Sequence, residues 1–256
     1  MTGVKTCALP IFDGIWSTPK LAPMYPNFPI KYRDVTILTT VYRTHPDAIE
    51  KHIDLPVQST GDLVMIHNYY MPDVEGMGEV EETNVMVGVK VLQGNSEHRG
   101  GFSTNLLISS EIGLTQGREI HGQPKKLGNT KISINEKIIE ASVYRGTKLI
   151  SHVSMNNQLQ TTNISQLELY FPFRNNINHK VIRNIDGTHG INQITSRTLA
   201  DVNIKDCKRG PSSLTIHEDR NAPFHLLPVL ETIESFLWKA DFTLVPGIIL
   251  HDYLKS

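Results

Sequence analysis

The chain predicts a mainly β fold (α+β class), an antiparallel β-barrel or curved double sheet with a few short helices on its outside. Three observations predict it. Runs rich in Val, Ile, Thr, Tyr and Leu recur from residue 32 to residue 254, the composition that suits a pleated, half-buried surface. Turn-forming residues punctuate them at Gly76-Met77-Gly78, Asn135-Glu136 and Arg145-Gly146. Helix-period patterning is confined to a few short stretches, so sheets must supply the core.

The elements follow in order. Residues 12–31 are broken by Pro19, Pro23, Pro26 and Pro29, which excludes a helix and predicts an extended arm. Residues 32–43 contain Val35-Thr36-Ile37-Leu38-Thr39-Thr40-Val41 and read as a strand. Thr44-His45-Pro46-Asp47 opens a short helix, with proline in the first turn, where its missing N–H is no loss. Ala48, Ile49 and Ile53 give that helix a buried face, and Pro56 ends it. Strands are expected at 62–70, 79–92 and 102–109, then one or two helical turns at 112–120. β-type runs fill 131–155 and return at 167–173, 190–204 and 213–216. Residues 226–237 place apolar side chains at helical spacing, with Pro228 among them, before strands at 241–245 and 248–254. No repeat, low-complexity tract or linker interrupts 12–256, so that span is expected to be one domain.

Bulk properties narrow the function. The 25 basic and 26 acidic residues leave a net charge of −1 with no block of like charge, which argues against a nucleic-acid or membrane-surface partner. No apolar run approaches the roughly 18 residues of a membrane-spanning helix. Two cysteines, Cys7 and Cys207, make no disulfide framework, and a reducing, cytoplasmic setting is expected. The eleven histidines show no metal-ligand spacing, and neither a phosphate loop nor a dinucleotide fingerprint is present; neither a metal nor a cofactor is expected. Residues 1–11 resemble the translation of a common DNA-sequencing adapter with one residue changed, and as a possible non-native segment they are set aside.

The most informative stretch is Gly117-Arg118-Glu119-Ile120-His121-Gly122-Gln123-Pro124-Lys125-Lys126-Leu127-Gly128. A lysine attacks a ketone only as the free amine, and at a reference pKa of about 10.4 few lysines are neutral at pH 7. Apolar surroundings or a second cation shift that balance, and adjacent lysines in a weakly charged segment suit both.

Gly-Arg-Glu followed by Pro-Lys-Lys-Leu-Gly resembles the signature of the acetoacetate decarboxylase family, and the likeness extends over nearly the whole chain after residue 12. In that family a lysine activated by its apolar or cationic surroundings is an established feature. The resemblance implies that Lys125 forms a Schiff base with a substrate ketone and that Lys126 modulates its pKa. It implies that Arg33, in Tyr32-Arg33-Asp34, grips a carboxylate, although its distance from the Val41-Tyr42-Arg43-Thr44 run is about two residues longer than in some members. Glu82, counted from Gly76-Met77-Gly78, is the matching pocket carboxylate; strand alternation puts Glu79 and Glu81 on the opposite face. His67 stands where the decarboxylases place a second glutamate. With His121 and Gln123, it is carried over as a substrate-binding residue. Arg118 and Glu119 read as a pair bracing the loop.

The expected function is a cofactor-independent Schiff-base lyase that decarboxylates a small β-keto acid through Lys125, with Glu82 and Arg33 assisting. The departure at His67 keeps open an aldolase-dehydratase that joins pyruvate to an aldehyde with the same lysine. A non-catalytic small-molecule binder on the same scaffold is the third reading. The resemblance also implies a homo-oligomer.

Overall fold

The computed structural model describes residues 17–255. The suspected non-native segment, Cys7 and the first residues of the arm lie outside that range. The expected β-rich architecture is present. Strands β1 (Ile30–Arg43), β2 (Val57–Val74), β3 (Gly78–Gln93) and β4 (Ser96–Ile108) form an antiparallel meander, followed by the short β5 (Lys125–Leu127). Next come β6 (Asn129–Ile134), β7 (Ile138–Arg145), β8 (Lys148–Asn156) and β9 (Gln160–Thr161). The chain returns through β10 (Asn175–Arg183), β11 (His189–Gly210), β12 (Ser212–Ile216), β13 (Glu231–Leu244) and β14 (Ile248–Asp252).

Seven of these strands close a ring in the order β10-β11-β13-β1-β2-β3-β4, sealed by parallel pairing of β4 with β10 at Gly101–Asn176 and Phe102–Ile177. Closure gives each wall strand a partner on both sides. Strands β12, β8, β7 and β6 make a second, antiparallel sheet. It lies against the outside of the barrel, where Leu38, Ile66, Val85 and Leu107 meet Ala141, Val143, Ile150 and Val153. Inside the barrel, Ile37, Met65, Met86, Phe236, Trp238 and Phe242 form a separate apolar cluster. The wall strands are therefore buried on both faces, which is why 35–41 reads as a run of β-branched and apolar residues rather than as an alternation of apolar and charged ones.

Helices are few. Two of them, α1 (Pro46–Glu50) and α2 (Glu111–Gln116), fall where the sequence places them. Ser110 caps α2 by accepting from Gly113 N–H at 3.2 Å. Three expectations need correction. Residues 167–173 form no strand: α3 (Ser165–Glu168) and a turn carry Phe171 and Phe173 into the barrel core. Strand β10 was not anticipated, because Asn175, Asn176 and Asn178 disguise it, yet Asn176 and Asn178 are buried. The helical spacing at 226–237 is overturned by a single 3-10 turn at Phe224–Leu226 and then β13. In β13, Phe236, Trp238 and Ala240 face the interior cluster while Leu237 packs on the second sheet, so two buried faces imitate a helical pattern. Among the described residues no helix is long and apolar enough to cross a membrane.

Candidate active site

The lysine segment enters the barrel wall through a sequence of tight fits. Helix α2 runs into a π-helical turn, Gly117–His121, that ends at Gly122 with φ 73°. A Cβ at Gly122 would lie 2.4 Å from Lys180 Cβ and 2.5 Å from Lys180 Cα, so glycine is required there by both conformation and space. The chain then joins the edge of β4 left open beyond β10. Leu106 pairs with Lys125 and Ile108 with Leu127, in parallel. Strand alternation turns Lys125 inward, only 5% exposed, and Lys126 outward. Arg118 holds the strand from outside by donating Nη1–H to the Lys125 carbonyl at 3.2 Å. Glu119 instead accepts from the Tyr25 hydroxyl at 2.7 Å, so the two brace the segment separately rather than as a pair.

Gly117 explains the start of the motif. A Cβ there would meet Lys125 Cδ and Cε at 2.6 Å and Gln123 Oε1 at 2.8 Å. Gly117→Ala is expected to displace the Lys125 stem. A misplacement of this kind lowers kcat/KM on the order of 10- to 100-fold, while overpacking costs about 1–3 kcal/mol of stability. Steady-state kinetics on protein whose thermal melt remains cooperative check this.

Lys125 opens into a cavity of about 40 Å³. One water needs roughly 10–15 Å³ by the same kind of measure, so the space suits a molecule of a few non-hydrogen atoms. Its apolar wall includes Met71, Met86, Phe173, Leu199, Trp238 and Phe242. Polar groups converge from four strands: Tyr32 of β1, Tyr69 of β2, Glu82 and Asn84 of β3, and Arg197 of β11. Lys125 Nζ lies 2.9 Å from Glu82 Oε2, and the Glu82 side chain is 12% exposed. Val80, Glu82, Asn84 and Met86 share the inner face of β3, as alternation requires, while Glu79 accepts from Tyr70 on the outside. Burial, and secondarily the Glu82 charge, pushes the Tyr32 and Tyr69 hydroxyls upward, so both stay protonated. Gln123 lies at the cavity, buried, and donates Nε2–H to Asn176 Oδ1 at 2.9 Å.

The other expected site residues lie elsewhere. Arg33 points out of the barrel and pairs with Asp73 at 2.9 Å, its side chain 44% exposed. The cause is local. Asp34 takes φ 55°, and a bulge between Tyr32 and Val35 absorbs the additional residues of β1, leaving Tyr32 and Val35 buried. Arg33→Ala is expected to leave kcat/KM unchanged and to alter stability by about 1 kcal/mol or less, which a thermal melt and an activity assay verify. Lys126 carries its charge away from the cavity, donating to the Asn221 carbonyl at 2.8 Å; the other cations lining the cavity are Arg174, which is paired with Glu168, and Arg197.

His67 and His121 are buried but do not line the cavity. His67 Nδ1 contacts Thr39 Oγ1 at 2.9 Å, and Thr39 Oγ1 accepts from Trp238 Nε1–H at 3.0 Å. The ring packs between Tyr69 and Phe173, and burial lowers its pKa to about 3. His121 Nδ1 accepts from Gln116 Nε2 at 3.1 Å, and its Nε2–H donates to the Val245 carbonyl at 3.2 Å. Burial, reinforced by Arg197, lowers His121 to about 3. Both imidazoles are thus neutral near pH 7 and hold the framework together. Among the described residues no cluster of three or more His, Cys, Asp or Glu side chains gathers to hold a metal.

Arg197, Tyr69, Asn84 and Asn176 are the site residues that sequence reasoning missed. Arg197 shares strand parity with Leu199, which faces the same interior, but the opposite parity carries Ile194, so the sequence alone does not choose between them.

Comparisons with known proteins bear on the family and the fold. A family model described as acetoacetate decarboxylase (ADC) matches residues 8–254. Acetoacetate decarboxylase 3 of Mesorhizobium japonicum is 29% identical over 243 residues, covering 94% of this chain and 92% of that one. The solved structure of acetoacetate decarboxylase from Legionella pneumophila has a TM-score of 0.85 at 26% identity, over 94% of this chain and 95% of that chain. The enduracididine biosynthesis enzyme MppR, complexed with pyruvate, has a TM-score of 0.77 at 14% identity, over 93% of this chain and 98% of that chain; at that identity the likeness is one of fold.

Proposed function

The chain belongs to the acetoacetate decarboxylase family, and from that membership we propose that it is a Schiff-base lyase that decarboxylates a small β-keto acid at Lys125. The observation that carries the reading is the 2.9 Å contact of Lys125 Nζ with Glu82 at a cavity walled by both apolar and polar side chains. A lone buried ammonium would be costly, and the adjoining carboxylate gives its proton somewhere to go. With the amine free, Nζ attacks the ketone carbon, and loss of water leaves a protonated iminium. The bond to the carboxylate carbon then breaks, its electron pair flowing toward the iminium nitrogen, so carbon dioxide departs and an enamine remains. The proton that Glu82 took from the ammonium leaves with the carbinolamine hydroxyl as water, so Glu82 draws one further proton from solvent and supplies it to the enamine carbon. Addition of water releases the methyl ketone and regenerates the lysine. The lysine is itself the electron sink, so these steps draw on no cofactor.

A second reading retains the nucleophile and changes the carbon chemistry: condensation of pyruvate with an aldehyde, followed by loss of water. Gln123 favours it, because its amide nitrogen is committed to Asn176 while its carbonyl oxygen remains as an acceptor suited to a substrate hydroxyl. The two are separated by product. Decarboxylation requires carbon dioxide and acetone from acetoacetate, with no condensed product from pyruvate and an aldehyde. The opposite pattern replaces decarboxylation by aldol chemistry on the same lysine.

A further inference from the structure

Among the described residues Arg197 is a cation without a partner. It stands on β11 opposite Asn176 of β10 and lines the Lys125 cavity together with a neighbouring chamber of about 170 Å³. Among the described residues its guanidinium makes no hydrogen bond or ion pair, and its Nε is sealed from solvent with nothing to accept from it. Glu82, the one carboxylate lining the cavity among the described residues, is committed to Lys125. No described Asp or Glu lines the neighbouring chamber. Burial lowers the Arg197 pKa, with Tyr69, Glu82 and Tyr32 opposing, yet a guanidinium stays charged at any physiological pH.

An unpaired guanidinium withdrawn from water destabilises a fold unless something else selects for it. Its planar fork matches a carboxylate through parallel charge-assisted hydrogen bonds. We propose that Arg197, rather than the outward-facing Arg33, is the anchor for the carboxylate of the keto acid whose carbonyl carbon faces Lys125. This rests on the lysine reading above and names the ligand class of the same cavity: a small keto acid anion, preferred over a neutral ketone of equal size. The anchor comes from β11, on the opposite side of β1 from β2, so the carboxylate is gripped from a different part of the wall than the family signature implies. It has a kinetic signature. In decarboxylation the carboxylate charge is greatest in the bound substrate and drains away as carbon dioxide forms. The interaction is therefore strongest in the ground state, and its loss registers in KM more than in kcat.

The test uses Arg197→Met and Arg197→Lys, with butyrate as an unreactive carboxylate of similar size. Calorimetry is expected to show butyrate binding weakened about tenfold to a hundredfold in R197M, with R197K intermediate, the scale of a charge-assisted hydrogen bond. KM for acetoacetate rises by a similar factor. Ligand-free R197M melts at the same or a higher temperature than the parent, which a purely structural arginine would not permit. Acetone, which has no carboxylate, still forms a borohydride-reduced adduct in R197M. Undiminished butyrate binding in R197M overturns the assignment. So does a lowered melting temperature with an unchanged KM. Weakened butyrate binding together with no acetone adduct in either protein upholds the anchor and rejects Lys125 as the nucleophile, so the two failures are distinguishable.

Discussion

Lys125→Met is expected to remove carbon dioxide release from acetoacetate, a loss on the order of 10⁴-fold or more, the scale on which deletion of a nucleophile registers. Methionine keeps the length and apolar stem of lysine, so the contacts with Gly117 and the cavity wall survive. What disappears is the amine, and with it the iminium that accepts the electron pair of the breaking bond. The substitution also strands Glu82, which is 12% exposed. An unpaired acceptor in such a place costs about 1–3 kcal/mol, so activity is to be measured per folded molecule. The same variant tests the non-catalytic alternative. A binder is indifferent to Lys125→Met in its ligand affinity, and its parent protein turns over no substrate.

Glu82→Gln carries the second-largest effect. Glutamine matches glutamate in shape and still accepts from Lys125, but it neither takes up the ammonium proton nor returns one to the enamine. General acid–base assistance is worth about 10²- to 10⁴-fold, and kcat is expected to fall within that range. Adduct formation with borohydride persists, more slowly, because the nucleophile is intact. A rate within tenfold of the parent reduces Glu82 to a structural counter-ion.

Much of this site is legible in the sequence, and the omissions have physical causes. Alternation along a strand is a local rule, and it separates Glu82 from Glu79 and Glu81 and Lys125 from Lys126 wherever the strand is regular. The rule fails at bulges. Around Asp34 the additional residues of β1 are absorbed as a kink, so a match by spacing selects Arg33 although the interior receives Tyr32 and Val35. Arg197 was hidden for a different reason. From Gln193 to Leu199 both strand parities of β11 mix polar and apolar residues, and only ring closure reveals which parity looks inward. His67 was legible as a departure but not as to its role. Its chain through Thr39 to Trp238 joins three strands, and such long-range pairing leaves no trace in local pattern. The β architecture was plain from composition and turns. Besides the short β5 and β9, β10 and most of β13 escaped, because buried asparagines in one and two buried faces in the other erase the period-two signal.

The central claim is that Lys125 forms the covalent bond. Reduction of the protein with borohydride in the presence of acetoacetate, followed by proteolysis and mass mapping, tests it most directly. The account predicts one stable isopropyl adduct, confined to Lys125 and absent when either ketone or borohydride is withheld. An adduct at another lysine, or none while carbon dioxide is being released, contradicts it.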